Sequence, residues 1–232
     1  MYELIDETSE FLVVYKKPDV SFHSDSGSVG LFEYCKQQQG LAELYPVHRL
    51  DKITSGLLIF AKTAAANSAL TAAFRAREIQ KFYLAISAKK PTKKQGLIKG
   101  DMTAARRGAF KLLAAHNNPA ITQFFSKNIA PGRRLFLIKP HTGKTHQIRV
   151  ALKSIGAPIM GDLLYADTAS NSHIDRTYLH AYSLGFELDG QQYRYTLLPK
   201  EGDYFSDAAF LNAIDEWREP WMLPWPKVQI NA

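Results

Sequence analysis

Asp51 stands between Arg49 and Lys52 in the run HRLDKITSG, residues 48–56. Taken alone, an aspartate with cationic neighbours is a surface ion pair worth little. Its setting argues for more. The run lies between Pro46 and the apolar stretch LLIFAK (57–62), with Ser55 and Gly56 at the entrance. Loops held by rigid elements are where chemistry is usually placed. Basic neighbours favour the ionised carboxylate, the form a nucleophile or general base requires. Tyr83, in KFYLAIS (81–87), is the second candidate, although a lone strand tyrosine is ordinarily packing. The third is the group Lys144, His146 and Arg149 in KTHQIR (144–149). By itself it would be read as a solvated helix side.

Other chemistries find no pattern. GKT at 143–145 lacks the glycine that a phosphate-binding loop needs at position 138, which is Ile. No G-x-G-x-x-G, H-E-x-x-H or G-x-S-x-G is present. The seven histidines show no ligand spacing with carboxylates, and Cys35 is the single cysteine. No metal site, disulfide or cofactor is therefore expected.

The elements that must carry these residues follow from periodicity. YELI and FLVVY read as two strands around DETSE, the second ended by Pro18. Residues 22–30 read as a loop and 31–39 as a short helix. LLIFAK reads as a buried strand, and Thr63 caps a helix over 64–78 with Leu70, Ala73, Phe74 and Arg77 at helical spacing. In 81–87 the alternation puts Phe82, Leu84 and Ile86 on one face and Tyr83, Ala85 and Ser87 on the other. ITQFFS (121–126) and RLFLIKP (134–140) are strand-like. A turn at Thr142–Gly143 leads into a helix with Ile148, Ala151, Leu152 and Ile155 as its apolar face. His146, Arg149 and Lys153 share another face. TYLHAYSLGFEL and QYRYTLL pair around Asp189–Gly190, AFLNAIDEW (209–217) forms a terminal helix, and PWMLPWP packs on the body. Strands in runs with a few helices make an α+β fold.

The chain has 232 residues with 29 Lys and Arg against 22 Asp and Glu, a net charge of +7. The pI is near 9.3, a prior for a polyanionic partner. Eight of the cations lie between Lys89 and Lys111, against the single acid Asp101. That segment has no broad apolar face for a membrane, so nucleic acid is the expected partner. The acidic N-terminus is unlike a signal peptide and no apolar run reaches the ~20 residues of a membrane helix. A cytoplasmic location is expected.

HRLDKITSG, then KFYLAI, then HTGKTHQIRVAL followed by PIMGDLLY, resembles the RluA-type family of RNA pseudouridine synthases. FLVVYKKP, NNPAITQFF and YLHAYSLGFEL are similar to family segments at the corresponding places, so the resemblance extends over most of the chain. It implies a mixed, largely antiparallel sheet with flanking helices and a central catalytic cleft. It implies an isomerase that converts a uridine of tRNA or rRNA to pseudouridine, with no cofactor and no metal. Asp51 then matches the catalytic aspartate, Tyr83 the aromatic that stacks on the target base, and Arg149 the arginine that pairs with the carboxylate. Arg49, Thr54, Lys144 and His146, with Arg106 and Arg107 of the basic stretch, are the expected RNA contacts. Lys144 stands where Arg is usual, Ala151 where His is common, and Ala157 where His often precedes Pro158. Leu188-Asp189-Gly190 replaces a His-Pro-x-x-Gly turn. None of these departures touches Asp51, Tyr83 or Arg149.

A single catalytic domain over 1–232, monomeric and without the N-terminal RNA-binding module of many relatives, is expected. Two other classes compete. One is a catalytically idle RNA-binding protein, which intact Asp51, Tyr83 and Arg149 argue against. The other is a nucleic-acid glycosidase, which would release free base where the isomerase releases only the proton from carbon 5.

Overall fold

The computed structural model describes residues 1–24, 27–167 and 173–228. The first half carries β1 (Tyr2–Glu7), β2 (Phe11–Lys16), α1 (Leu31–Gln38), β3 (Tyr45–Pro46), β4 (Ser55–Ala61), α2 (Ala64–Ala76), β5 (Gln80–Ser87), β6 (Gln95–Gly100), β7 (Met102–Ala104) and β8 (Phe110–Leu112). The second half carries β9 (Ala120–Ala130), β10 (Arg133–Pro140), α3 (Gln147–Ser154), β11 (Leu179–Leu188), β12 (Gln191–Thr196), α4 (Asp203–Ser206) and α5 (Ala208–Ile214).

Every residue of β2 and of β4 is buried. A strand buried on both sides needs a sheet covered on both faces, and that is the architecture. Among the described residues ten strands form one sheet in the order β1-β2-β4-β11-β5-β10-β9-β6, with β12 on β11 and β3 on β4. One pairing, β11 with β4, is parallel and the rest are antiparallel. The fold is the expected α+β, mixed and largely antiparallel. Leu70 of α2 packs on Val13 and Ile59, while Leu31 of α1 covers Val14 and Leu58 from the other side. Leu152 of α3 packs on Ala85, Phe136 and Ile138. Phe82, Leu84 and Ile86 face Phe210 and Trp217 instead. The period-2 split of β5 is therefore real, and Tyr83 lies on the α3 side.

Where β4 meets β11 the backbones leave no room for a side chain. Gly56 has φ 117°, and a Cβ on it would lie 2.2 Å from the Ala181 carbonyl oxygen. This glycine lets the loop carrying Asp51 enter the middle of the sheet. Beneath it, buried Ser55 accepts from the Arg176 guanidinium at 2.8 Å and meets His180 Nδ1 at 2.8 Å. His180 Nε2 lies 2.8 Å from the Leu197 carbonyl. That carbonyl needs the proton on Nε2, so Ser55 donates to Nδ1. Burial pulls the imidazole down to about 3, keeping it neutral. The serine–histidine pair is a satisfied core network.

Several local expectations are corrected. α2 stops at Ala76, because Arg77 turns into the left-handed region at φ 64° and ends the helix. His146 is not on the helix face: it is the N-cap of α3, also left-handed, at φ 57°. The terminal helix breaks into a tight 3-10 turn at Asp215–Trp217. Part of the loop expected over 22–30, at positions 25 and 26, lies outside the described residues. The basic stretch from Lys89 is a strand and a hairpin: β6 joins the main sheet beside β9, and β7 pairs β8 across a turn holding Arg106 and Arg107. Its one acid, Asp101, accepts from the Asn117 and Asn118 backbone N–H groups and orders the next loop. Among the described residues no helix is long and apolar enough to cross a membrane.

Candidate active site

A cleft of about 680 Å³ opens between the 47–54 loop, the start of β5 and the turn that leads into α3. Asp51, Tyr83 and Arg149 all line it, so three segments far apart in sequence converge as expected. Arg49, Thr54, Lys144 and His146 line it too. Arg106 and Arg107 do not. They sit exposed at the tip of the β7–β8 hairpin, whose Phe110 packs edge-on against the His146 ring at 5.7 Å. The hairpin therefore stands beside the cleft and not inside it.

Asp51 is held from below. The Thr54 N–H donates to its backbone carbonyl at 3.0 Å, closing a turn, and Thr54 is itself buried. Lys16 buries its whole side chain and donates from Nζ to the carbonyls of Lys17, Val20 and Lys52, each at 2.9 Å. Burial pulls this ammonium down to about 7, which the three carbonyls oppose by solvating the charge. The lysine of KKP thus ties β2 to the residue after Asp51. His48 Nε2 accepts from the Ile59 N–H at 3.1 Å, and its ring stacks on Phe74 at 4.7 Å. Burial, reinforced by Lys81, brings it to about 3. It is a neutral strut.

Arg149 is shared between two carboxylates. Nε and Nη2 grip Asp162 at 2.7 and 2.9 Å in a bidentate pair, and Nη1 reaches Asp51 at 3.3 Å. Asp162 is only 1% exposed, whereas the Asp51 side chain is 28% exposed. Burial works against the guanidinium charge, but the Asp162 hydrogen bonds and the Asp162 and Asp51 charges outweigh it and raise its pKa. Asp162 was not singled out from the sequence. Its signal was the GD of PIMGDLLY. Gly161 takes φ 80°, and a Cβ there would lie 2.0 Å from the Arg176 carbonyl, so only glycine admits this turn. The turn then points Asp162 at Arg149, while Oδ1 also accepts from Leu164 and Tyr165 N–H at 3.0 and 3.3 Å.

Tyr165 was also missed. The Arg149 guanidinium lies 4.8 Å over its ring and Lys153 Nζ lies 5.5 Å from it. Its hydroxyl accepts from Phe110 N–H at 2.9 Å and lies 3.0 Å from His146 Nδ1. The other ring nitrogen, Nε2, faces Asp51 at 4.0 Å. Burial, then the Arg149 charge, lowers the His146 pKa. The expected basic face of His146, Arg149 and Lys153 is a set of three side chains packed around one tyrosine.

Tyr83 supplies the cleft with a half-buried ring, and its hydroxyl makes no hydrogen bond among the described residues. Burial, then the Asp51 charge, raises its phenol pKa. The ring is neutral and free to stack. Gln147 pins the turn opposite: its Oε1 accepts from Thr142 Oγ1 at 2.6 Å and Lys144 N–H at 3.1 Å. Lys144 Nζ donates to the Asn118 carbonyl, in the loop that Asp101 orders. Among the described residues no group of three or more His, Cys, Asp or Glu is placed to hold a metal ion. The site offers one part-exposed carboxylate, an arginine that balances it, an aromatic platform and a cationic wall. That equipment suits catalysis on a planar base attached to a polyanion.

The comparisons agree with this chemistry. The family model for RNA pseudouridylate synthase matches residues 10–154, which contain the Asp51 loop, the Tyr83 strand and the Arg149 helix. A Haemophilus influenzae protein described as an uncharacterized RNA pseudouridine synthase is 46% identical over 203 residues, covering 88% of this chain and 90% of that protein. A ribosomal large subunit pseudouridine synthase C of Haemophilus ducreyi is 33% identical, covering 79% of this chain and 61% of that protein. The solved structure of human RNA Pseudouridylate Synthase Domain Containing 1 shares the fold, with TM-score 0.73 and 23% identity over 90% of this chain and 87% of that one. The motifs that converge on Asp51 are those the family model spans, and the chain belongs to the RluA-type family of RNA pseudouridine synthases.

Proposed function

We propose that the chain acts, as a monomer in the cytoplasm, on one specific uridine of tRNA or rRNA and isomerises it to pseudouridine. The observation that carries this is the Asp51–Arg149–Asp162 arrangement beside the Tyr83 ring. A uridine in folded RNA must leave its stack, at a cost of about a few kcal/mol. Stacking on Tyr83 returns ~1–3 kcal/mol of this. Asp51 then acts on the flipped nucleotide. The bond from ribose to ring nitrogen 1 breaks, the uracil rotates within the cleft, a bond from ribose to carbon 5 forms, the carbon-5 proton is lost to solvent and the freed nitrogen 1 takes up a proton. Nothing is oxidised or reduced. Arg149 pairs with Asp51 while Asp162 keeps Arg149 from swinging onto the RNA.

The test is tritium release from RNA labelled at carbon 5. Transcribed large-subunit rRNA comes first, because the Haemophilus ducreyi relative is named for that subunit, and tRNA second. The reading expects tritium in water and no free uracil. Free uracil would mark a glycosidase, and neither product an idle binding protein.

Tyr83→Ala should weaken RNA binding roughly 5- to 150-fold, the equivalent of ~1–3 kcal/mol of stacking, and lose turnover with it. Tyr83→Phe should bind normally. Equal activity in wild type and Tyr83→Ala would place the stacking aromatic elsewhere.

Arg106 and Arg107 are expected to hold phosphates beside the cleft. Arg107 lies at φ 59°, so Asn, which tolerates that region, removes its charge without straining the turn. Arg106→Ala with Arg107→Asn should flatten the log–log salt dependence of RNA binding by ~1–2. Turnover at saturating RNA should change much less. An unchanged slope and affinity would make the hairpin tip a solvated loop.

A further inference from the structure

The cleft wall is charged far beyond what Asp51 needs. Arg49, Arg75, Arg77, Lys81, Lys144 and Arg149 line it, and Asp51 is the one carboxylate among its lining residues. Arg149 is balanced by Asp162 and Asp51, and Lys144 holds a carbonyl. Lys81 has neither. It makes no ion pair and no hydrogen bond among the described residues, and its ammonium rests 5.3 Å over the Phe74 ring. The residue is half-buried in the open cleft, and this partial burial pulls the Lys81 ammonium down to about 8; drawing a cation partly out of water without an anion is unfavourable.

Three segments line the cleft around Lys81. Arg77, the left-handed cap of α2, is one, and its charge and that of Lys81 both act on His141. Gly143 comes from another: a Cβ built on it would lie 3.9 Å from Lys81 Nζ, and its N–H has no acceptor among the described residues. His141 comes with it, its Nε2 2.7 Å from Gln123 Oε1. Burial, then the charges of Lys139, Lys81 and Arg77, brings His141 to about 4. It stays neutral and registers the positive potential without adding to it. Lys81 and Tyr83 are two residues apart on the same face of β5, a separation of ~7 Å.

We propose that Lys81, Arg77 and the Gly143 turn form a subsite for a backbone phosphodiester of the RNA, next to the nucleotide whose base stacks on Tyr83. The subsite rests on the reading of the chain as an RNA-modifying enzyme and goes beyond it by naming where the strand leaves the cleft. A phosphodiester supplies Lys81 with the counter-charge that no carboxylate among the described residues gives it. Holding the adjacent backbone also fixes the flipped nucleotide in register, because phosphate contacts set position and orientation.

The test uses Lys81→Met, which keeps the stem over Phe74, and Arg77→Asn, which suits the left-handed cap. Binding of a fluorescein-labelled single-stranded oligouridylate is followed across salt concentrations. Each variant should flatten the log–log slope by ~0.7–0.9, and the double variant by ~1.4–1.8. Between 50 and 200 mM salt, wild type should lose roughly eightfold more affinity than the double variant does. The kinetic loss on RNA should fall mainly on KM. Inorganic phosphate, added at constant ionic strength, should not displace the oligonucleotide. An unchanged slope in the well-folded double variant overturns the subsite. Displacement by inorganic phosphate overturns its assignment to a phosphodiester. If wild type binds with the steep slope, the variants flatten it and no tritium is released from any RNA, the proposed reaction falls and the subsite stands.

Discussion

Asp51→Asn should fold as the wild type does and lose at least ~10³-fold in turnover, the scale for removing a catalytic nucleophile. The amide is neither nucleophile nor base at neutral pH. Its oxygen still accepts from Arg149 Nη1, which lies 3.3 Å from the carboxylate in the native protein. The side chain is 28% exposed, so losing its charge removes a partly screened interaction of about 0–1 kcal/mol. Arg149 is not orphaned, because Asp162 holds it with two bonds. Urea unfolding should therefore barely move while tritium release collapses. A well-folded Asp51→Asn protein turning over at even a tenth of the wild-type rate would remove Asp51 from the chemistry.

Asp51, Tyr83 and Arg149 were legible because each sits in a short motif whose local structure is dictated by its own neighbours. Alternation placed Tyr83 on the cleft side of β5. Helical spacing put Arg149 on a turn of α3 away from Ile148 and Leu152. What stayed hidden was set by distant partners. Asp162 looks like any turn aspartate until Arg176 packs against Gly161 and forces the turn's shape. Nothing in the sequence sets Lys81 apart from other cations, and only the fold shows that no carboxylate among the described residues meets it. The helical rule failed at His146 because the chain turns left-handed there, a choice made by the Tyr165 and Gln147 contacts. The charge count treated Lys89–Lys111 as one stripe, but β6 spends its backbone on the sheet edge and Asp101 spends its charge on a loop. Nor could periodicity reveal that β11 threads between β4 and β5. Strand order depends on long-range pairing, and local pattern carries no record of it.

Asp162→Asn should produce the opposite signature from Asp51→Asn, although both carboxylates touch the same guanidinium. Asp162 is buried to 1% exposure and bidentate to Arg149. Breaking a buried pair by removing one partner costs about 3–5 kcal/mol, because the other charge stays buried. The asparagine can keep the Oδ1 bonds to Leu164 and Tyr165 N–H. Its amide NH₂ would then face Arg149 Nε, donor against donor, where a carboxylate oxygen accepts at 2.7 Å. Arg149 is left with Asp51 as its counter-ion and should rotate toward it, converting a single 3.3 Å contact into a closer pair. Asp51 would then be drawn away from the nucleotide. Stability should fall by about 3–5 kcal/mol in urea unfolding, and kcat, measured well below the lowered Tm, should fall ~10²-fold or more, the cost of a small misplacement at a reacting centre. KM should move little, since Tyr83 and the other cations of the wall are untouched. Arg149→Met should cost a similar amount, and combining it with Asp162→Asn should cost much less than the two together, because the second change removes the charge that the first left unpaired. Additive losses in that double variant, or an unchanged kcat in folded Asp162→Asn, would show that Asp162 supports the fold without positioning the arginine.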